Sequence, residues 1–151
     1  MNILITGSAG FIGYSLAKYI LDLNKNHIIF GIDNLNSYYS IKLKKKRLSI
    51  LNNYKKFKFK KIDLSNKKSL EKNFGKKKID LVINLAAQAG VRYSLTNPEE
   101  YVYSNQLGFF HVLNFCKNHK IKLIYASSSS VYGEYKKFPT KEWQSLNPKN
   151  I

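Results

Sequence analysis

Short apolar runs alternate along the chain with stretches whose apolar residues recur at helical spacing. Residues 2–6 (Asn-Ile-Leu-Ile-Thr) form the first run, and Gly7 ends it. Over 11–23, Phe11, Ile12, Leu16, Ile20 and Leu23 share one helical face. A second run, 27–33, closes on Asp33, and a basic helix is expected over 39–52. Residues 57–63 alternate apolar and Lys, which predicts a third strand near a sheet edge. A short helix over 66–75 and a fourth strand over 79–85 follow. Asn97-Pro98-Glu99-Glu100 offers a capping side chain, a first-turn proline and acids at the positive dipole end, so a helix is predicted from there to about His119. The fifth strand is 121–126, and 133–151 is polar and turn-rich.

Five strands alternating with helices imply right-handed βαβ units and a parallel sheet covered on both faces. This is the α/β doubly wound, or Rossmann, architecture, whose ligands sit at the carboxyl ends of the strands. Five segments end predicted strands and therefore converge there: 7–13, Asp33, Asp63, 85–90 and 127–130.

Composition sharpens this picture in three ways. With 14% aromatic and 44% hydrophobic residues, the 151-residue chain has the apolar content to fold as one domain, 1–151. A single cysteine, Cys116, excludes an internal disulfide and reads as a small core residue. No run approaches the ~18 apolar residues of a membrane span, and the N-terminus lacks the pattern of a secretion signal, so a cytoplasmic setting without membrane attachment is expected. The net charge of +17 is concentrated in residues 42–78, which hold 16 Lys or Arg against Asp63 and Glu71. Yet the chain has 24 Lys and only 2 Arg. Base recognition favours Arg for its bidentate geometry, so the pattern reads as solvated faces and argues against a nucleic-acid partner.

Gly7-Ser8-Ala9-Gly10-Phe11-Ile12-Gly13 leaves the first strand and opens the first helix, as a dinucleotide-binding loop must. Gly7 permits the tight turn, Gly10 the approach of a pyrophosphate, and Gly13 close packing of helix on strand; the free amides at the helix start then hold phosphate charge. Asp33 ends the second strand 20 residues after Gly13. A carboxylate there accepts ribose hydroxyls and repels a 2′-phosphate, which favours NAD over NADP, although nearby lysines soften that preference. No cluster suggests a metal. Asp63-Leu64 is placed at the adenine edge.

These residues resemble the extended short-chain dehydrogenase/reductase family. The likeness is carried by Thr6-Gly7-Ser8-Ala9-Gly10-Phe11-Ile12-Gly13, Leu85-Ala86-Ala87, Asn105-Gln106-Leu107-Gly108 and Ser127-Ser128-Ser129-Ser130-Val131-Tyr132-Gly133. Within it, Gly31-Ile32-Asp33-Asn34-Leu35-Asn36-Ser37-Tyr38-Tyr39 and Ala86-Ala87-Gln88-Ala89-Gly90-Val91-Arg92-Tyr93-Ser94 look like UDP-glucuronate 4-epimerases. Asn84 departs from the family pattern, which usually has histidine before Leu-Ala-Ala. The resemblance implies a UDP-sugar substrate and bound NAD, which takes the C4 hydride and returns it to the other face. A tyrosinate removes the 4-hydroxyl proton, and Ser128 matches the hydroxyl that orients the same oxygen. It also implies cofactor contacts from Ala9, Asn34, Leu85, Ala86, Ala87, Gln88 and Asn105, substrate contacts from Ser129, Ser130 and Arg92, and a homodimeric full-length form.

The family's Tyr-x-x-x-Lys pair belongs about two dozen residues beyond Ser128, at the position of Ile151. The four matches present are Tyr14/Lys18, Tyr38/Lys42, Tyr54/Lys58 and Tyr132/Lys136, and none lies on the helix after the fifth strand. The expectation is therefore a truncated NAD-binding domain, with later strands and the C-terminal substrate domain missing and no activity by itself. Two alternatives stand beside the epimerase. A sugar-nucleotide 4,6-dehydratase is disfavoured because Ser129-Ser130 occupy the places of its usual Asp-Glu. A non-catalytic NAD-binding or basic interaction module is the third.

Overall fold

The computed structural model describes residues 1–23, 26–134 and 139–148. Its centre is a five-stranded, wholly parallel sheet: β1 (Asn2–Thr6), β2 (Ile28–Asp33), β3 (Phe57–Lys61), β4 (Leu81–Asn84) and β5 (Lys122–Tyr125). The spatial order β3-β2-β1-β4-β5 puts β1 in the middle and reverses direction between β1 and β4. This is the doubly wound fold, and its switch point lies at the carboxyl end of β1.

Alternation along the strands divides the core in two. On one face Ile3, Ile5, Ile29 and Ile83 pack with Ala17, Leu48 and Leu51, from helices α1 (Phe11–Asp22) and α2 (Ile41–Asn52). On the other, Leu4, Phe30, Ile32 and Val82 meet Leu70 and Phe74 of α3 (Ser69–Phe74). Val112, Phe115 and Cys116 of α6 (Phe109–His119) complete that layer. Burial pushes the Cys116 thiol up to about 11, consistent with an inert core residue.

β3 is an edge strand, as its alternation predicts, and its outward Lys58, Lys60 and Lys61 discourage pairing with another chain. Apart from the buried Lys44, the lysines of 42–78 spread over the outer side of α2, this edge and the surroundings of α3.

The helix predicted from Asn97 is more broken than its pattern suggests. A separate α4 (Val91–Thr96) precedes it, then α5 (Pro98–Tyr101), and Val102–Gly108 widens into π-helix before α6. The Asn97 side chain does not cap; its amide donates to Thr96 Oγ1 at 2.9 Å instead. A π-segment cannot be read from 3.6-residue periodicity, because the extra residue shifts the apolar face without breaking the helix. It lies where Ser104 and Asn105 approach the strand ends.

Candidate functional site

The three glycines of the first loop do mechanically different work. Gly7 sits at φ +65°, and a Cβ there would lie 2.9 Å from the Ala86 nitrogen, so the turn demands glycine. A Cβ on Gly13 would lie 2.2 Å from the Gly7 carbonyl oxygen, so α1 can press against the turn only because Gly13 has none. Gly10 N–H donates to the Gly7 carbonyl, and the first bond within the helix runs from Tyr14 to Gly10 at 3.0 Å. The amides of Phe11, Ile12 and Gly13 thus precede the helical ladder. No acid stands in this first turn, so α1 carries no charge of its own to offset its positive end.

Beside it, the buried Asp33 carboxylate is held from three directions. Oδ2 accepts from Ala9 N–H at 3.2 Å and Oδ1 from Leu35 N–H at 2.8 Å. The Lys44 ammonium stands 3.9 Å from Oδ1. A carboxylate has about four acceptor positions, so each oxygen keeps one for a ligand hydroxyl. Arg47, one turn along α2, donates to the Ala9 carbonyl at 3.3 Å and lies 5.9 Å above the Phe11 ring. At the end of β3, Asp63 accepts from Ser65 N–H and Oγ–H and from Asn34. Burial raises its pKa, but those donors outweigh it and hold the carboxyl below its ordinary value.

β4 is tied to the same turn through Thr6. Its hydroxyl donates to Asn84 Oδ1 at 2.7 Å and accepts from the amides of Leu85 and Ala86 at 3.1 and 3.0 Å. Asn84, the residue that departs from the family pattern, is therefore a buried partner of Thr6. Gln88 follows, exchanging bonds with Asn105 across the π-segment.

These strand ends surround a cavity of about 540 Å³. Gly7, Gly10, Phe11 and Asp33 line it on the phosphate-loop side, with Asn34, Asp63 and Leu64 beyond. Leu85, Ala86, Ala87 and Gln88 line it from β4. Of the four remaining predicted cofactor residues, Ala9 is fully buried and spends its amide on Asp33, Gly13 is packed beneath the turn, Ile12 points outward, and Asn105 holds the Gln88 backbone without lining the cavity.

Ser128, Ser129, Ser130 and Arg92 do not line this cavity. All four are exposed. Ser128 caps a single 3₁₀ turn, Ser129–Tyr132: it accepts from Ser130 N–H at 3.2 Å and donates to Ser130 Oγ at 3.1 Å.

The alternative Tyr/Lys pairs are occupied otherwise. Lys18 bonds Asp22 at 2.6 Å, and Tyr54 donates to the same carboxylate, which raises the Tyr54 pKa. Partial burial, then the neighbouring Tyr39 and Tyr101, push the Tyr38 hydroxyl up, away from ready ionisation. Lys136, half of the Tyr132 match, lies outside the described residues.

Sequence reasoning missed Thr6, Asn36, Lys44 and Arg47 individually. One signal was legible: Lys44, Leu48 and Leu51 follow helical spacing, and the buried face of α2 is made of these three. A lysine on an apolar stripe marks a charge with a partner.

The chain is 48% identical over 134 residues to protein CapI of Staphylococcus aureus, covering 88% of this chain and 39% of that protein. It is 44% identical over 130 residues to a UDP-glucuronate 4-epimerase of Thermodesulfobacterium geofontis, covering 85% and 40% respectively. The crystal structure of the Bacillus cereus UDP-glucuronic acid 4-epimerase with UDP-glucuronic acid and NAD superposes with a TM-score of 0.86 at 34% identity. That match covers 99% of this chain and 47% of the other, so the chain spans less than half the length of these relatives. Residues 4–151 match the family model described as GDP-mannose 4,6 dehydratase, and on that match the chain belongs to the epimerase/dehydratase branch of the extended short-chain dehydrogenase/reductase family.

Proposed function

We propose that this chain is the NAD-binding part of a nucleotide-sugar 4-epimerase of the UDP-glucuronate to UDP-galacturonate type. The observation that carries the reading is the joint geometry of phosphate loop and carboxylate. The phosphate loop, through Gly7, Gly10 and Phe11, and Asp33 line one cavity, and Ala9 N–H ties the loop to the carboxylate. That spacing suits a pyrophosphate and its adenosine ribose. When bound, NAD supplies a hydride acceptor and donor at sugar C4. The chain's own contribution is positional. The α1 amides hold phosphate, Asp33 accepts ribose hydroxyls, Asp63 and Leu64 border the adenine, and Ala86, Ala87, Gln88 and Asn105 support the nicotinamide end.

Ser128 is assigned the hydroxyl that orients the sugar 4-oxygen, with Ser129, Ser130 and Arg92 toward the sugar carboxylate. Hydroxyls at 129 and 130 cannot supply the acid and base that elimination of water requires, which favours epimerisation over 4,6-dehydration. No Tyr-x-x-x-Lys pair stands near Ser128 among the described residues, so these 151 residues by themselves are expected to bind cofactor without turnover.

Titration of the purified chain with NAD and NADP, with mass spectrometry of any retained nucleotide, tests the reading. NAD should bind, and NADP about tenfold or more weakly, because Asp33 repels a 2′-phosphate while Lys44 moderates that repulsion. Absence of NAD binding refutes the proposal, and turnover of UDP-glucuronate by the chain alone refutes its last clause.

A further inference from the structure

We infer that the segment following β2 forms a clasp across the mouth of the crevice, with Asn36 as its positioning residue. The clasp governs how fast the dinucleotide enters and leaves rather than how tightly it is held. This rests on the cofactor reading above.

The argument begins with strand order. β1 lies between β2 and β4, and the phosphate loop leaves β1. Any bond joining the segment after β2 to the segment after β4 therefore crosses in front of that loop. Such a bond exists: Asn36 Nδ2 donates to Gln88 Oε1 at 3.2 Å.

Both ends of this bond are anchored. The Lys44 ammonium donates to Asn36 Oδ1 at 2.8 Å and to its carbonyl at 3.1 Å, and Asn36 N–H donates to Asn34 Oδ1 at 3.1 Å. On the far side, the Gln88 backbone is fixed by its two bonds to Asn105, at 2.7 and 2.9 Å. Lys44 and Gln88 are 7% and 5% exposed, so these are not loose surface contacts.

A second contact crosses the same gap. The Tyr38 ring lies 4.7 Å from that of Tyr93. Tyr38 comes so close to Gly90, itself at φ +100°, that a Cβ there would lie 2.1 Å from the phenol oxygen. Asn36, Tyr38 and Gln88 line the same cavity as Gly7 and Gly10, so the clasp and the phosphate loop bound one space.

Every bond in the clasp joins protein to protein. Opening it costs the same whether the nucleotide is entering or leaving, so it raises the barrier in both directions and leaves the equilibrium unmoved. The proposed chemistry needs this property. Hydride taken from C4 must return to the same sugar, so a cofactor that left between the two transfers would strand an oxidised sugar. A kinetic barrier prevents that without demanding tighter binding.

The test is stopped-flow measurement of NAD association and dissociation on the chain and three variants, with thermal unfolding as a control. Asn36→Ala removes the crossing bond and Tyr38→Leu the ring contact with Tyr93; Tyr38→Phe keeps that ring. The first two should raise both rate constants, Asn36→Ala about tenfold, the scale of one buried hydrogen bond, and leave Kd within about twofold. Tyr38→Phe should stay near the parent. If Asn36→Ala lowers the unfolding temperature, the Tyr38 pair decides, since that side chain is only half-buried. Dissociation that accelerates with a matching rise in Kd identifies a direct cofactor contact and overturns the clasp, as do unchanged rates. If the parent chain binds no NAD, the cofactor reading fails and takes the clasp with it.

Discussion

The corner where β1 and β2 end and the rim where β5 ends are built from contacts of different reach. At the corner, buried and half-buried bonds join residues far apart in the chain: Ala9 to Asp33, Thr6 to Asn84, and Thr6 to Ala86. At the rim, the Ser128 hydroxyl bonds only Ser130, two residues on, among the described residues, and Ile124 and Tyr125 in the strand beneath are 56% and 57% exposed. The corner's geometry is imposed by the sheet itself. A hydroxyl held by one local turn takes its final direction from whatever packs upon it. The proposed cofactor end is therefore held by the sheet, while the proposed sugar end rests on a local turn.

The most damaging change to the corner should be Gly13→Val. The new side chain would begin 2.2 Å from the Gly7 carbonyl, a backbone atom that cannot yield without unseating the loop from Ala86. A loss of at least about 4 kcal/mol, or failure to fold, is expected by chemical denaturation, with NAD binding abolished. Thr6→Val comes next. It keeps the shape but strips a donor from Asn84 and an acceptor from two amides, for a cost of about 3 kcal/mol; Thr6→Ser should recover most of it. Asp33→Asn follows: it sets a donor against a buried backbone N–H and removes the counter-charge of Lys44, for a cost of about 2 kcal/mol. It should also weaken NAD about tenfold and narrow the gap to NADP, as read by paired titrations.

Acid sensitivity offers a subtler probe. The Asp63 carboxyl is held below its ordinary pKa, so it contributes stability above its unfolded value of about 4. That contribution is lost as pH falls through the lower folded value. Asp63→Asn should thus lower stability slightly at neutral pH, leave it unchanged at pH values below the folded pKa, and so flatten the acid limb between them.

What was legible in the sequence follows the same division. The alternation of apolar runs specifies all five strands, because a buried parallel strand has few other solutions, and the glycine spacing marks the phosphate loop by steric necessity. The first strand matches its expected bounds, while the other four are shorter than expected by one or two residues at one or both ends. β3, for example, stops at Lys61, while Ile62 and Asp63 turn into the loop. α4 and the π-segment were invisible because their stability comes from neighbours rather than from their own periodicity. Lys44 hid among lysines. Its role depends on Asn36 and Asp33, eight and eleven positions earlier, and no local pattern distinguishes it from Lys45 or Lys46 except its place on the apolar stripe.

Ser128→Ala should have the smallest effect, and it tests the comparison most directly. Like Thr6→Val, it deletes a hydroxyl at the end of a strand. Here the groups left behind, Ser130 N–H and Oγ, are exposed, and water satisfies them. Stability and NAD affinity of this chain should therefore stay within about 0.5 kcal/mol of the parent. A cost approaching that of Thr6→Val would mean that the rim is as firmly built as the corner. The Ser128 hydroxyl would then belong to the fold rather than to the sugar, and its assignment as the group that orients the 4-oxygen would lose its basis.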